Sequence, residues 1–372
     1  MEPTAPVWGL APRDRVGPLP ERCEVLVVGG GIAGVSVLWW LRRAGRSALL
    51  VEADRLAAGA SGRNAGVIGS GANQPYALAV REFGRSTTAE IQAFTLENHD
   101  RLAEALAGRS PHYRRRGGQI WPVDREEAEL LAESAQLEHE DGFDAEWNGR
   151  CLVHPRNGEH NPVETVLALA SDAPAGSIRE GVRVTGLEAA ASGVTAVDTT
   201  GAECRADQVV VCLNAFTPQL LPDVAIAPTR AQALATAPVG HLVAPCPQGR
   251  DHGYQYWNQL ADGRVVAGGY RNLAISEEVG YRLEVTPTLQ RALEQHLIGI
   301  EADAPVTHRW AGIMGFTSNG LPFVGPAPGR PNVHLLAGFN GHGFAVSFLA
   351  ARNLVRSLGG ASGPLVPWPA PA

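Results

Sequence analysis

An α/β fold interrupted by an inserted α+β domain is the class this sequence predicts, and three observations predict it. A short apolar run, a glycine-rich turn and a helical pattern open the chain at residues 23–44. A second strand, glycine turn and helix close it at residues 332–357. Between them, runs of strand length alternate with helical periods, as in a parallel sheet carrying a second domain.

The opening unit is the most specific. Residues 23–28 read as a buried strand and residues 32–44 as a helix, with Gly29, Gly31 and Gly34 at the turn between them. Gly29 permits the tight turn, Gly31 lets the backbone approach a pyrophosphate, and Gly34 lets helix and strand pack closely. The free N–H groups and positive dipole end of the helix then point at the phosphates. Residues 47–52 form a second buried strand ending in Glu52, eighteen positions after Gly34. A carboxylate there can grip a ribose diol, at roughly 1.5–3 kcal/mol per charge-assisted bond. NAD and FAD share this Rossmann-like unit, and the motif alone does not choose between them.

The following elements are weaker but regular. Residues 53–67 form a small-residue, polar loop that leaves backbone N–H groups free for a ligand. Residues 75–108 read as helical, 117–123 as a strand, 125–139 as a polar helix, and 162–171 as a helix with Asn161 as N-cap and Pro162 at its first position. Strands are expected at 181–185, 193–197 and 208–213, the last running into Asn214. Residues 255–269 read as a hairpin about Asp262-Gly263, and 287–298 as a helix capped by Thr286. Residues 310–325 are punctuated by glycine, and residues 332–337 form the last strand before Gly338-Phe-Asn-Gly-His-Gly343.

Composition removes several function classes. The net charge is −7 with both signs dispersed, which argues against an obligate nucleic-acid partner. Arg114-Arg115-Arg116, the densest basic run, reads as solvated arginines along a strand edge. Five cysteines without CxxC spacing suit a reducing compartment. Residues 1–22 lack the pattern of a signal peptide, and the longest apolar run, 25–41, is broken by four glycines and too short for a membrane span. A cytoplasmic protein is expected. There is no lysine, and all 31 basic residues are arginine. Schiff-base chemistry on lysine and P-loop phosphate binding are therefore excluded. The dispersed histidines suggest no metal site, since His154 and His160 lack a third ligand at a convincing spacing.

These pieces, in this order over nearly the whole chain, resemble the flavoprotein family of glycine oxidase, sarcosine oxidase and D-amino-acid oxidase. The resemblance rests on residues 27–34 with Glu52, on Gly59-Ala-Ser-Gly-Arg-Asn64, on the strand ending at Asn214, on residues 310–325 and on residues 338–343. It implies an FAD-binding domain built from residues 1–75, 150–225 and 305–372. A substrate domain with an antiparallel or mixed sheet would comprise residues 76–149 and 226–304. The pyrophosphate cradle would be Gly29, Gly31, Ile32, Ala33 and Gly34. Glu52, Ala53 and Arg55 would serve the adenosine ribose, with Val184 on the adenine side. Ser61, Gly62, Arg63, Asn64 and Ala65 would run along the ribityl chain and flavin. Asn214, Gly312, Gly338, Asn340, Gly341, His342, Gly343 and Phe344 would lie near the ring. Residues 311–316 contain no cysteine, so the FAD is expected to be non-covalent.

The chemistry implied by the resemblance is oxidation of a C–N bond in a primary or secondary amine or amino acid. Hydride passes to flavin N5, the imine hydrolyses, and O2 serves as acceptor and yields H2O2. Two departures bear on the substrate. Met314 occupies the position where glycine oxidase carries a carboxylate-binding arginine, and the lysine that assists oxygen in sarcosine oxidase is absent. Met314 favours amines or larger amino compounds over simple α-amino acids. Tyr256 is expected in the substrate pocket or as a packed sheet aromatic, with Tyr254 facing the same side. His342 is expected either to hydrogen-bond the flavin edge or supply positive charge, or to cap the last helix. Arg63 could meet a substrate carboxylate or brace the flavin loop, and Arg271 reads more readily as a solvated strand end than as an anion binder. Three alternatives stand beside the oxidase: a same-fold dehydrogenase passing electrons to a quinone or protein, a catalytically idle FAD-binding subunit, and an NAD-dependent dehydrogenase. The assembly state is left open, a homo-oligomer included.

Overall fold

A computed structural model describes residues 2–369; residue 1 and residues 370–372, at the outer ends of the expected first and last segments, lie outside the described residues. Strand β1 (Arg22–Val28), helix α1 (Ile32–Arg43) and strand β2 (Ala48–Glu52) form the expected opening unit. β1 is the middle of a mainly parallel sheet ordered Phe323–Pro326, Val333–Ala337, Glu203–Val211, β1, β2, Ile178–Glu180. Val25, Leu26 and Val27 are fully buried because both faces of this sheet are covered. One face packs on α1, Pro162–Ala170 and the closing helix Gly343–Leu358, where Trp39 and Trp40 meet Phe348 with ring centroids 5.1 and 5.2 Å apart. The other face packs on the strand pair Val184–Ala190 and Gly193–Asp198.

The second sheet is mixed and runs Val306–Phe316, Ala227–Pro238, Arg264–Gly269, Gln255–Gln259, Gln248–Arg250, Gly118–Trp121, Leu152–His154, Glu146–Trp147. Its core includes Leu234, Val265, Ala267 and the helix Pro287–Gly299. The helices Tyr76–Phe83, Arg85–Leu106 and Arg125–Glu140 complete the chain's middle portion.

Several expectations need correction. The helical stretch 75–108 is two helices, because Gly84 at φ +83° turns the chain between them. The strand expected at 181–185 begins only at Val184. Asn161 caps its helix as expected, accepting from the N–H groups of Val163 and Glu164, both at 3.1 Å. Thr286 does not cap with its side chain; its hydroxyl accepts from Gln232 Nε2 at 3.0 Å. The boundaries drawn at 150 and 305 do not follow the sheets, since Leu152–His154 and Val306–Phe316 are bonded into the second one. Arg114 and Arg116 stay partly solvated, as expected, but also bracket the buried carboxylate of Glu159, while Arg115 pairs with Asp100.

Burial also sets a pH response. His99 is buried, with Nε2 donating to the Gly69 carbonyl at 2.8 Å and Nδ1 3.0 Å from the Tyr113 hydroxyl. The carbonyl can only accept, so Nδ1 is left to accept from Tyr113, and the neutral ring satisfies both partners. Desolvation accordingly lowers its pKa from about 6.5 to about 4. The unfolded chain binds a proton near pH 6.5 and the folded chain only near 4, so stability falls as pH drops through that window. The expected loss from His99 is roughly 3 kcal/mol. His99→Gln should flatten the dependence of the urea midpoint on pH between 6.5 and 4; an unchanged slope would contradict this assignment.

Candidate active site

The two glycine turns at opposite ends of the chain open onto one cleft of about 1010 Å³. At the N-terminal turn, Gly29 takes φ +113°, and a Cβ there would sit 2.6 Å from the Cys212 carbonyl oxygen. Gly31 is the N-cap of α1 and offers no side-chain cap. A Cβ on Gly31 would come 2.8 Å from Ser61 Oγ, which itself accepts from the Ile32 N–H at 2.9 Å. Ser61 thus takes the first N–H of α1 and anchors the loop 59–65 beside the turn, while the N-cap itself contributes backbone alone.

Glu52 stands at the rim of this cradle. One carboxylate oxygen accepts from Gly30 N–H at 2.6 Å and the other from Asp54 N–H at 2.9 Å. Burial raises its pKa, opposed by these backbone donors. The remaining lone pairs of the carboxylate are available to a diol. Ala53 and Val184 continue the wall, with Val184 buried at the start of its strand.

The C-terminal turn is held by asparagines in left-handed backbone. Asn214, at φ +46°, accepts at Oδ1 from the N–H groups of Gly338 (3.0 Å) and Phe339 (3.2 Å). Asn340, at φ +51°, accepts from Thr317 N–H at 2.9 Å and donates to the Gly338 carbonyl at 2.7 Å. The closing helix then begins at Gly343 with no side-chain cap, so a second helix N-terminus faces the cleft. His342 Nδ1 is buried without a hydrogen-bond partner, and burial lowers the ring's pKa. Burial thus works against the expectation that His342 supplies positive charge, with a backbone hydrogen bond of Asn340 opposing the shift.

Most expected site residues meet here. Gly29, Gly31, Ile32, Ala33, Glu52 and Ala53 line the end at the N-terminal turn. Ser61, Arg63, Asn64 and Ala65 line the middle, with Asn214 and Gly312. Asn340, Gly341, His342, Gly343, Phe344, Met314, Tyr254 and Tyr256 line the far end. Four do not reach the cleft. Gly34 lies under the turn, where a Cβ would be 1.9 Å from the Gly29 carbonyl oxygen. Gly62 packs on Ala57 and Val163, and Gly338 against Thr317 and Ile226. Arg55 turns away to Asp54 and the Ala11 carbonyl.

Arg63 braces the loop rather than pairing with an acid, donating to the carbonyls of Ala58 (2.9 Å) and Ala311 (3.1 Å). The Tyr256 ring lies on Gly268, where a Cβ would approach its Cε2 to 2.3 Å. Burial pushes the Tyr256 hydroxyl up to about 12, so it remains a neutral phenol. Arg271 corrects another expectation. It is a cleft residue, its guanidinium 4.8 Å from the Tyr254 ring centroid and 4.9 Å from that of Phe316. Sequence reasoning also missed a polar lobe lined by Gln92, Glu127 and Glu138, with His154 at 3.1 Å from both Glu138 oxygens. Among the described residues no group of three or more His, Cys, Asp or Glu side chains could hold a metal ion, and no helix is long and apolar enough to cross a membrane.

A parallel sheet with two uncapped helix N-termini converging on a large cleft, one beside a ribose-type carboxylate, defines a dinucleotide-dependent oxidoreductase. The glycine cradle, the free Glu52 lone pairs and the orphaned His342 Nδ1 fit an elongated dinucleotide spanning both turns. Residues 24–357 match the family of FAD dependent oxidoreductases (DAO), and the chain belongs to that family. It is an FAD-dependent enzyme of the kind that acts on amines or amino acids. A tRNA 5-methylaminomethyl-2-thiouridine biosynthesis bifunctional protein of Maricaulis maris is 29% identical over 90% of this chain, which spans about half (52%) of that relative. Gamma-glutamylputrescine oxidoreductase of Escherichia coli is 25% identical over 91% of this chain and 84% of its own length. The structure of glycine oxidase from Geobacillus kaustophilus superposes with a TM-score of 0.75 at 21% identity, covering 91% of this chain and 95% of that one.

Glu52→Gln leaves one of two backbone N–H donors without its acceptor and removes the charge that a diol would bind. FAD affinity, read from flavin fluorescence on titration, should fall about 10- to 100-fold; unchanged affinity would exclude Glu52 from the cofactor site.

Proposed function

We propose that this chain oxidises the C–N bond of a primary or secondary amine, or of an amino compound larger than a simple α-amino acid, using non-covalently held FAD and O2. FAD supplies the hydride acceptor, N5, and its reoxidation by O2 gives H2O2. The observation that carries the reading is the far end of the cleft, where the neutral phenol of Tyr256, Met314, Phe316 and the neutral ring of His342 adjoin the C-terminal turn. Such surroundings disfavour an ammonium and favour the free amine, whose lone pair assists loss of hydride from the adjacent carbon. No strong acid or base is then required, and rate comes from orientation and exclusion of water.

The chain's own residues divide this work. Tyr256 walls off solvent and offers a hydroxyl hydrogen bond. His342 offers its unpartnered Nδ1 to the bound ring or substrate. Arg63 ties the loop 58–63 to the strand Val306–Phe316, fixing one side of the ring site. The FAD-binding unit comprises the first sheet with its covering helices, and the substrate unit comprises the second sheet, with its boundaries set by strand membership.

One observation favours a second reading, in which electrons pass to a quinone or protein acceptor. Leu273, Ile275 and Val279 are 57%, 54% and 61% exposed just beyond Arg271 in the chain, and Leu283, also exposed, lines the cleft. An apolar acceptor or partner could rest there.

Anaerobic mixing of the yellow holoenzyme with a broad panel of primary and secondary amines should bleach the flavin band with at least one compound. Admitting air should then restore the band with stoichiometric H2O2. Restoration only with a quinone would select the dehydrogenase reading, and a panel without any bleaching would leave an idle FAD-binding protein.

A further inference from the structure

We propose that the segment ahead of the dinucleotide unit, residues 4–16, is a working part of the cofactor site, and that Glu180 and Trp8 are the positioning residues through which it fixes the loop 54–64 against the glycine cradle. The segment governs retention of FAD, whichever amine is oxidised.

The loop has little structure of its own. It leaves β2 at Glu52, contains only the three-residue turn Ala60–Gly62, and lines the cleft at Asp54, Ala58 and Gly59 through Ser61. One point of it touches the cradle directly. The Ala57 N–H, at φ +58°, donates to the Gly30 carbonyl at 3.0 Å. Leu56 is fully buried with its side chain against Gly30, where a Cβ would lie 2.8 Å from Leu56 Cδ2. The placing of residues 56 and 57 therefore sets the placing of the cradle's middle glycine.

Glu180 holds that point. It ends the strand Ile178–Glu180 in register with Glu52 and is 1% exposed. One of its oxygens accepts from Leu56 N–H at 2.8 Å, and the other accepts from Asp14 and Arg15 N–H at 3.2 and 3.1 Å. Its own N–H donates to the Arg15 carbonyl at 2.9 Å. A single buried carboxylate thus joins the N-terminal segment to the loop. Donors that converge on both oxygens suit a carboxylate, because an amide would set its NH2 against one of them. A buried N–H left unpaired in that way is unfavourable.

The other end of the segment makes a second tie. Trp8 Nε1 donates to the Asn64 carbonyl at 2.8 Å, and its ring lies over Gly66, where a Cβ would be 2.7 Å from Cη2. Thr4 exchanges hydrogen bonds with the backbone of Arg309, its N–H donating to the carbonyl at 2.6 Å and its hydroxyl accepting at 3.0 Å. This pins the segment to Val306–Phe316, the strand that also receives Arg63. Between the ties Val7 and Ala11 are buried, and the void left against the loop is about 10 Å³, at the lower limit of what one water needs. Ala58 and Arg63 border both that void and the cleft, so the loop is a thin wall between the segment and the cleft. Holding such a wall in its binding shape beforehand lowers the ordering cost of binding. By thermodynamic reciprocity, bound FAD must in turn hold the segment.

The first test needs no substitution. Tryptic cleavage of the full chain after Arg13, exposed in the segment, is compared with cleavage after Arg125, exposed at the start of Arg125–Glu140, with FAD removed and with FAD at saturation. FAD should slow cleavage after Arg13 by about 10-fold relative to Arg125; an unchanged ratio would overturn the proposal. The second test uses Glu180→Gln and Trp8→Phe, with release of FAD from the diluted holoenzyme read by flavin fluorescence. Each variant should release FAD about 10-fold faster than the wild type. A lowered thermal midpoint of the FAD-free protein with wild-type FAD release would mark the segment as structural only and refute its role at the site. Where a variant does not fold, the trypsin comparison decides. No amine enters either measurement, so an amine panel that fails to bleach the flavin and a negative result here are read separately.

Discussion

Two helices begin without a side-chain cap, α1 at Gly31 and the closing helix at His342, and both beginnings open onto the same cleft. Uncapped N–H groups and aligned peptide dipoles are costly to bury against nothing and favourable against an anion or an electron-rich ring. The sheet makes their meeting obligatory. β1 pairs in parallel with Glu203–Val211, which pairs in parallel with Val333–Ala337, so the strands preceding both turns end on the same side. Asn214 completes the link, its one oxygen taking both N–H groups at the start of the C-terminal turn. The ligand site depends on that register; a slip of one residue would move Asn214 away from the turn it holds.

Around this frame the chain keeps bulk out of the cleft wall and ties down the loop beside it. Gly31 and Gly312 keep side chains out of contact with Ser61 and Arg63. Trp310 donates to the Arg63 carbonyl at 2.9 Å and Trp8 to that of Asn64 at 2.8 Å, so two indoles hold the loop that borders the ring site. The part of the cleft lined by Tyr254 and Arg271 is contributed by the second sheet, beside the paired strands Gln255–Gln259 and Arg264–Gly269. In a chain without lysine, each cation of the site is an arginine whose charge is fixed or a histidine whose charge is governed by burial.

Local signals carried much of this into the sequence. The period of residues 23–52 and the placing of Gly29, Gly31 and Gly34 identify the cradle because each glycine answers a steric demand within its own unit. Asn161-Pro162 marks a helix start for the same reason. The strand Ala227–Pro238 was illegible: it is rich in alanine, flanked by proline, and owes its form to the strands on both sides. The strand Val306–Phe316 was equally hidden, since residues 310–325 read only as glycine-punctuated until they pair with Ala227–Pro238. The ion pairs of Arg114 and Arg116 were missed because Glu159, forty-five and forty-three residues away, is invisible to a local reading. The alternatives for His342 and Arg271 stayed open in the sequence because charge state and ion pairing depend on burial and on distant neighbours.

Hydrogen–deuterium exchange with and without saturating FAD tests the joint grip most directly. The account predicts that amides of residues 29–34 and of residues 338–345 both slow on binding, over the same concentration range. Protection confined to the N-terminal turn, with the C-terminal turn exchanging as before, would contradict it.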